Sequence, residues 1–276
     1  MSYADEIFVQ NVKNILQNGY FDKDLKVRPK WKDGTSAHTI KLFGLVNRYD
    51  LSKEFPIMTL RQTYWKTALK EILWIWQKKS NNIKDLDAHI WDEWADESGS
   101  IGKAYGYQLG IKHHYPEGDF DQVDRMLYDL TNNSSSRRIL VNMYNHADLH
   151  EMHLYPCAYS MTFNVTGNRL NAILNQRSQD MLVANNWNIC QYAFLVHMIA
   201  QSVGLEVGEL IHVIADAHIY DRHIPIIKEI IERDSYDAPN LEIDTNIHNF
   251  YDFIVDSFDL KDYRYNKNTM KIEVAI

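Results

Sequence analysis

The stretch from Ile139 to Arg233 constrains the fold most, because its apolar residues switch repeatedly between the two-residue period of a strand and the longer period of a helix. Ile139 to Tyr144, Ala158 to Val165 and Arg169 to Asn175 are apolar or alternating, and Thr166-Gly167-Asn168 supplies a turn that folds the last two into a hairpin. Asn186 to Val203 is apolar around its whole circumference, which predicts a buried helix closed by Gly204. Glu209 to Ile219 alternates as a strand, and Pro225 to Arg233 has helical spacing. Strands and helices so interleaved predict an α/β fold of the α+β type, with a large mixed β-sheet flanked by helices.

The first half adds to the same plan. Residues 3 to 18 place Ile7, Val12, Ile15 and Leu16 on one helical face before Gly19, and Thr39 to Val46 reads as a strand after a basic loop from Lys26. Tyr64 to Gln77 carries Trp65, Ala68, Leu69, Ile72, Leu73 and Trp76 at three-and-four spacing, which predicts an amphipathic helix interrupted by the polar Glu71. Asp85 to Gly106 is irregular, and Gln122 to Leu130 is helical up to Asn132-Asn133-Ser134. No repeat or Pro/Gly/Ser-rich linker divides the chain, so residues 1–276 are expected to form a single domain.

The net charge of −8 means that an anionic ligand must be held by a local basic cluster, and it argues against a dedicated nucleic-acid binder. The most apolar long window, Tyr192 to Leu210, is broken by His197, Gln201, Ser202, Gly204 and Glu206, so no membrane span is expected. Cys157 and Cys190 are too few for a disulfide framework and no apolar leader opens the chain, which makes the cytoplasm the expected compartment.

Candidate chemistry clusters near strand ends. Tyr155-Pro156-Cys157-Ala158 puts a thiol at a strand entry after a residue that fixes the backbone. Such a thiol becomes a good nucleophile when cations lower its pKa, and Arg137, Arg138 and Arg177 are the candidates. Cys190, mid-helix among apolar neighbours, reads as an inert core thiol. Asn175-Gln176-Arg177-Ser178-Gln179-Asp180 ends a strand in polar groups, and Arg177 with Ser178 is suited to grip a phosphate. Ser136-Arg137-Arg138 reads either as charged surface or as a pair reaching a dianion at a subunit boundary. Asp216-Ala217-His218-Ile219-Tyr220 and Asp221-Arg222-His223 invite a metal reading, but no third ligand has a recognisable spacing, and His113-His114, His146, His150 and His153 fall in polar loops. No metal is expected.

Glu71-Ile72-Leu73-Trp74, Ile90-Trp91-Asp92-Glu93-Trp94-Ala95, Tyr105-Gly106, Ser136-Arg137-Arg138, Pro156-Cys157, Gln176-Arg177-Ser178, Asp180, Asn188, Asp216-Ala217-His218-Ile219-Tyr220 and Val274-Ala275-Ile276 together resemble the thymidylate synthase family, over most of the chain and in the family's order. The resemblance implies reductive methylation of dUMP to dTMP, with 5,10-methylenetetrahydrofolate giving both the carbon and the hydride and leaving as dihydrofolate. It implies a homodimer with sheets packed back to back, in which Arg137 and Arg138 reach the phosphate of the partner's nucleotide. Cys157 would be the covalent nucleophile at uracil C6, Arg177 and Ser178 phosphate ligands, His218 and Tyr220 contacts to the deoxyribose, and Asn188 the reader of the uracil edge. Glu71 would organise proton transfers, Tyr105 assist removal of the C5 proton, Asp180 bond the pterin ring, Trp91 and Trp94 line the folate pocket, and Ile276 close over the ligands.

The chain departs from the commoner family pattern at four places. Val27-Arg28-Pro29-Lys30-Trp31-Lys32-Asp33-Gly34-Thr35 stands where many members have an Arg-Thr-Gly-Thr stretch, which makes Arg28 the candidate mobile phosphate arginine. Ala158 stands where many have His, Ala215 where Gly is usual, and Val183-Ala184-Asn185-Asn186-Trp187 replaces a Leu-Gly-x-Pro-Phe segment. Two rival readings are a deoxypyrimidine-monophosphate hydroxymethylase on the same scaffold, and an RNA-associated relative without catalysis. An aspartate at position 188 would have favoured cytosine, and the acidic balance disfavours RNA.

Overall fold

The computed structural model describes residues 1–270 and 272–276. In chain order the elements are α1 (Tyr3–Asn18), β1 (Tyr20–Phe21), β2 (Thr39–Asp50), α2 (Trp65–Trp76), α3 (Gly106–Gly110), β3 (His113–Tyr115), β4 (Gly118–Phe120), α4 (Gln122–Asn132), β5 (Leu140–Asn142), β6 (Ala158–Thr166), β7 (Arg169–Asp180), α5 (Asn185–Ser202), β8 (Glu206–Tyr220), α6 (Ile224–Ile230), β9 (Asn240–Ile243) and β10 (Phe258–Lys261). Six strands form one sheet in the order β1-β2-β8-β7-β6-β5. Only β7 and β8 run parallel in it, because α5 carries the chain back across the sheet between them; the other neighbours are antiparallel. The mixed sheet is therefore as the sequence predicts.

Several boundaries differ. β7 continues to Asp180 and β8 starts at Glu206, because polar side chains at strand ends hide the alternation that marks the middles. α6 stops at Ile230 instead of Arg233. His113 and His114 lie in the β3–β4 hairpin and not in a loop, although both side chains face solvent. The β9–β10 pair has no counterpart in the sequence reading, since four-residue strands carry too short a period to register.

α5 is buried on nearly every side, with Phe194, Leu195 and Val196 inaccessible to solvent, and α2 packs on it through Leu69, Ile72 and Trp76. Each large apolar side chain so removed from water contributes about 1.5–3 kcal/mol. α1 and α6 cover the other end of the same sheet face, where Phe8, Val12 and Ile227 meet Ile214, Ala217 and Ile219. The residues of the opposite face, among them Ile173, Ile211 and Val213, belong to neither core cluster, and Val46 and Leu140 are exposed.

The alternation slips by one residue at the same level in three neighbouring strands. Buried positions on β7 run Leu170, Ala172, Leu174, Gln176 and then Gln179; on β8 they run Leu210, His212, Ile214 and then Ala217, Ile219. On β2, Asn47 and Tyr49 face the core while Ile40 and Leu42 do so before the slip, with Gly44 between them at φ +83°. A positive φ is cheap only for glycine, so Gly44 supplies the kink that keeps β2 paired through the slip. Beyond it the strand ends are re-aimed, and Arg177, Ser178, Asp180, His218 and Tyr220 all open onto one cleft.

Candidate active site

That cleft encloses about 1430 Å³. Its floor is the entry to β6. Cys157, half-buried, sits there with Arg177 Nη2 at 3.7 Å from its sulfur, and Arg177 is itself fixed by the carbonyls of Tyr155 (2.7 Å) and Pro156 (3.0 Å). The carbonyls of the Tyr-Pro segment thus hold the guanidinium against the thiol. Burial nevertheless pushes the Cys157 thiol up, outweighing Arg177, Tyr105 and Arg28, which pull it down. Of the arginines expected to depress this pKa, Arg177 does pull it down, joined by Arg28, but within one chain burial outweighs them; Arg137 and Arg138 are exposed beside β5 and do not line this chain's cleft.

Tyr105 accepts a hydrogen bond from the Cys157 backbone N–H at 3.0 Å, which leaves its own hydroxyl proton free to point elsewhere. Its backbone has φ +45°, a conformation costing about 1–3 kcal/mol in a non-glycine residue. The strain is imposed by the next residue, since Gly106 lies so close to Ser80 that a Cβ would sit 2.3 Å from that carbonyl.

Opposite the thiol, Glu71 projects from α2 into a buried niche. Its Oε1 accepts from Trp91 Nε1 at 2.6 Å, and its Oε2 accepts from Trp187 Nε1 at 2.5 Å and Gln191 Nε2 at 2.6 Å. Burial raises the Glu71 pKa in spite of these donors, so the carboxyl keeps its proton to higher pH than a free glutamate. Asn188, at the start of α5, donates from Nδ2 to Gln191 Oε1 at 3.1 Å and accepts at Oδ1 from Gln176 Nε2 at 3.0 Å. His212, fully buried, meets Gln176 Oε1 at 2.8 Å.

The nucleotide-side candidates are brought together as well. His218 Nδ1 lies 2.8 Å from Asp216 Oδ1, which orients the ring, and Tyr220 packs edge-on against it. Arg28 lines the cleft from a loop whose Lys30 exchanges two backbone hydrogen bonds with Ile276, so that both stand at one rim. Asp180 lines the cleft too, but its Oδ1 is taken by the backbone N–H groups of Leu182 and Val183, leaving Oδ2 for a ligand. Trp91 and Trp94 stack edge to face at 5.6 Å and form a flat-walled arm. Among the described residues no group of three or more His, Cys, Asp or Glu is placed to hold a metal.

The family profile described as thymidylate synthase matches residues 6–276. The chain is 44% identical to the thymidylate synthase of Bacillus licheniformis and 43% identical to that of Bacillus phage phi3T, in both cases over the full length of each protein. The solved structure of thermostable thymidylate synthase A from Bacillus subtilis superposes with a TM-score of 0.95, 42% identity and complete coverage of both chains.

The chain belongs to the thymidylate synthase family. It is an enzyme, a methyltransferase of nucleotide biosynthesis that converts dUMP to dTMP, and thymidylate synthases draw on a folate co-substrate. Against this background the sequence reading missed Arg61, a half-buried guanidinium bonded to the Leu182 carbonyl at 2.7 Å, and the contacts of Gln176, Gln191 and Trp187. Trp187 was visible only as a departure from the thymidylate synthase pattern. Its contact with Glu71, far away in sequence, gives it a function.

Proposed function

We propose that residues 1–276 act as one catalytic domain, in a cytoplasmic homodimer, on dUMP and 5,10-methylenetetrahydrofolate through a covalent adduct on Cys157. The observation that carries this reading is the juxtaposition of Cys157 with Arg177 on one wall and Glu71 with Asn188 on the other. C5 of uracil is too weak a nucleophile for a one-carbon electrophile, so a thiolate must first add at C6 and push an electron pair onto O4. Asn188 steadies that oxygen with its remaining N–H, and C5 of the resulting enolate attacks the methylene carbon. Glu71 protonates the departing folate nitrogen, Tyr105 helps the C5 proton leave, and the exocyclic methylene takes a hydride as Cys157 is expelled from C6. The folate supplies that hydride and leaves as dihydrofolate, with the Trp91–Trp94 arm and Asp180 Oδ2 suited to hold its ring. No metal is needed for any of these steps.

Ser178, Arg177 and Arg28 hold the phosphate from within the subunit, and His218 with Tyr220 the sugar, while Ile276 closes the rim. The outward sheet face, with Val46 and Leu140 exposed, supports back-to-back pairing, and exposed Arg137 and Arg138 beside β5 support their use in a second subunit's cleft. The test is incubation with 5-fluoro-dUMP and the folate, since fluorine cannot leave C5 as a proton. Mass spectrometry should find both ligands on the peptide holding Cys157, and none on a Cys157→Ser protein. Attachment at another residue would overturn the assignment.

A further inference from the structure

Asn188 is an amide, and an amide has two flips that fill the same space but present opposite hydrogen-bonding faces. Uracil offers a donor at N3 and an acceptor at O4, whereas cytosine offers an acceptor at N3 and a donor at its amine. One flip of Asn188 therefore matches uracil and the other matches cytosine. Resting on the reading of Asn188 as the base contact, we infer that Gln191 is a positioning residue for uracil selection: it takes the donor end of the Asn188 amide and, with Gln176 at the other end, holds it in one flip.

The lock follows from groups that have only one hydrogen-bonding sense. Gln191 Nε2 lies 3.1 Å from the Ala68 carbonyl, which only accepts, so the nitrogen must be on that side and Oε1 must face Asn188 at 3.1 Å. Asn188 is thereby required to present its NH2 to Gln191. From the other end, Gln176 Nε2 lies 3.2 Å from the Ser178 carbonyl, again acceptor-only, and so must donate to Asn188 Oδ1. His212 reinforces this, because Gln176 Oε1 needs a donor and receives Nε2–H from a ring that burial holds neutral, its pKa pushed down to about 3. Gln179 adds a long contact of 3.4 Å to Asn188 Oδ1. This weak bond is the one the N3–H of uracil displaces. The amide orientation is thus dictated from two backbone carbonyls on different elements, one of them reached only through Gln191.

A side chain at 191 that fills the space but accepts nothing would remove the demand for a donor from Asn188. Gln191→Met does this. Gln191→Glu keeps an acceptor oxygen toward Asn188 and, in its protonated form, an O–H in place of the Nε2 donor that faces Glu71 Oε2 and the Ala68 carbonyl; it is the rescue of base preference, not of rate. Asn188→Asp tests the underlying base reading by itself. The measurements are kcat/KM for dUMP and the dissociation constant of dCMP by calorimetry, on proteins checked by thermal melting. Gln191→Met should shift the preference toward dCMP by about tenfold, the size set by one mispaired buried group, while Gln191→Glu holds the preference within about twofold of the parent. Gln176→Met, which frees the Oδ1 side, should shift it in the same direction and stands in if Gln191→Met does not fold. An unchanged preference in Gln191→Met, or equal relaxation in Gln191→Met and Gln191→Glu, would show that residue 191 merely packs. An unchanged preference in Asn188→Asp would instead sink the base reading, whatever the Gln191 variants do.

Discussion

On the β6–β7 wall of the cleft, Cys157 faces a single well-anchored cation and its thiol sits above the ordinary thiol range; on the α2–α5 wall, Glu71, Gln191 and Asn188 already satisfy one another in a buried chain. The first wall lacks positive charge and the second lacks nothing. The difference teaches which parts of the reaction are prepared in the folded chain. The hydrogen-bond chain of Glu71, Gln191 and Asn188, to which the proposed function assigns the base contact and the proton transfers, is built in, because amides and indoles fix each other without a ligand. Activation of the nucleophile is left unfinished, and on the proposed reading Arg28 at the rim, a second subunit's arginines and the substrate itself would complete it.

The strongest way to break this comparison is to ask whether the missing charge arrives from a second chain. Arg137→Ala and Cys157→Ala proteins, each expected to be inactive, should regain about a quarter of parental activity when mixed at equal amounts, since half the dimers are hybrids and each hybrid has one intact cleft. No recovery despite demonstrated subunit exchange would mean that the β6–β7 wall is complete within one chain.

Removing the acid from the prepared wall comes next in size. Glu71→Gln should lower kcat by about 10²–10⁴. Because burial raises the Glu71 pKa, the protonated carboxyl persists to higher pH than in a free glutamate and is lost as pH rises through the raised value. The alkaline limb of the parental kcat profile should therefore vanish in Glu71→Gln; a limb of unchanged position belongs to another group.

A milder test addresses the unfinished wall. With its pKa raised, Cys157 has less thiolate at pH 7 than a free cysteine, so iodoacetamide should modify it more slowly, with a rate still climbing at pH values where a free thiol has levelled off. Cys190 is fully buried and stays silent. Faster alkylation than a free thiol would show that the nucleophile is already activated.

The smallest effect is expected at Trp187. Its indole N–H lowers the Glu71 pKa, so Trp187→Phe should move the alkaline limb of kcat further up. A downward move would mean that the indole does not serve the carboxylate.

What was legible in the sequence divides along the same line. The long elements, the hairpin and the mixed sheet are written in local periodicity; Cys157 and Arg177, which the structure brings together, stood out in short motifs at strand ends, whereas Asn188 was a candidate only through the family resemblance. The relay was not legible as such. Glu71, Gln176, Gln191 and His212 come from four separate elements, α2, β7, α5 and β8, and a glutamine inside an apolar helix carries no local sign of the acceptor it will meet. The balance of effects on the Cys157 pKa was not legible for a related reason. Sequence shows which cations are near in the chain, but not how much water the fold removes from the sulfur.

The one-residue slip shared by β2, β7 and β8 bears on how such a protein can be recombined. A chimera that took β7 and β8 from a relative with unbroken alternation, while keeping the glycine hinge in β2, would join strands whose inward faces disagree at one end. Every residue past the joint would then turn the wrong way, carrying the phosphate and sugar contacts out of the cleft. These three strands are thus one heritable unit although they lie far apart in the gene, and crossovers that separate them should be recovered among active clones far less often than crossovers placed in the loops around them.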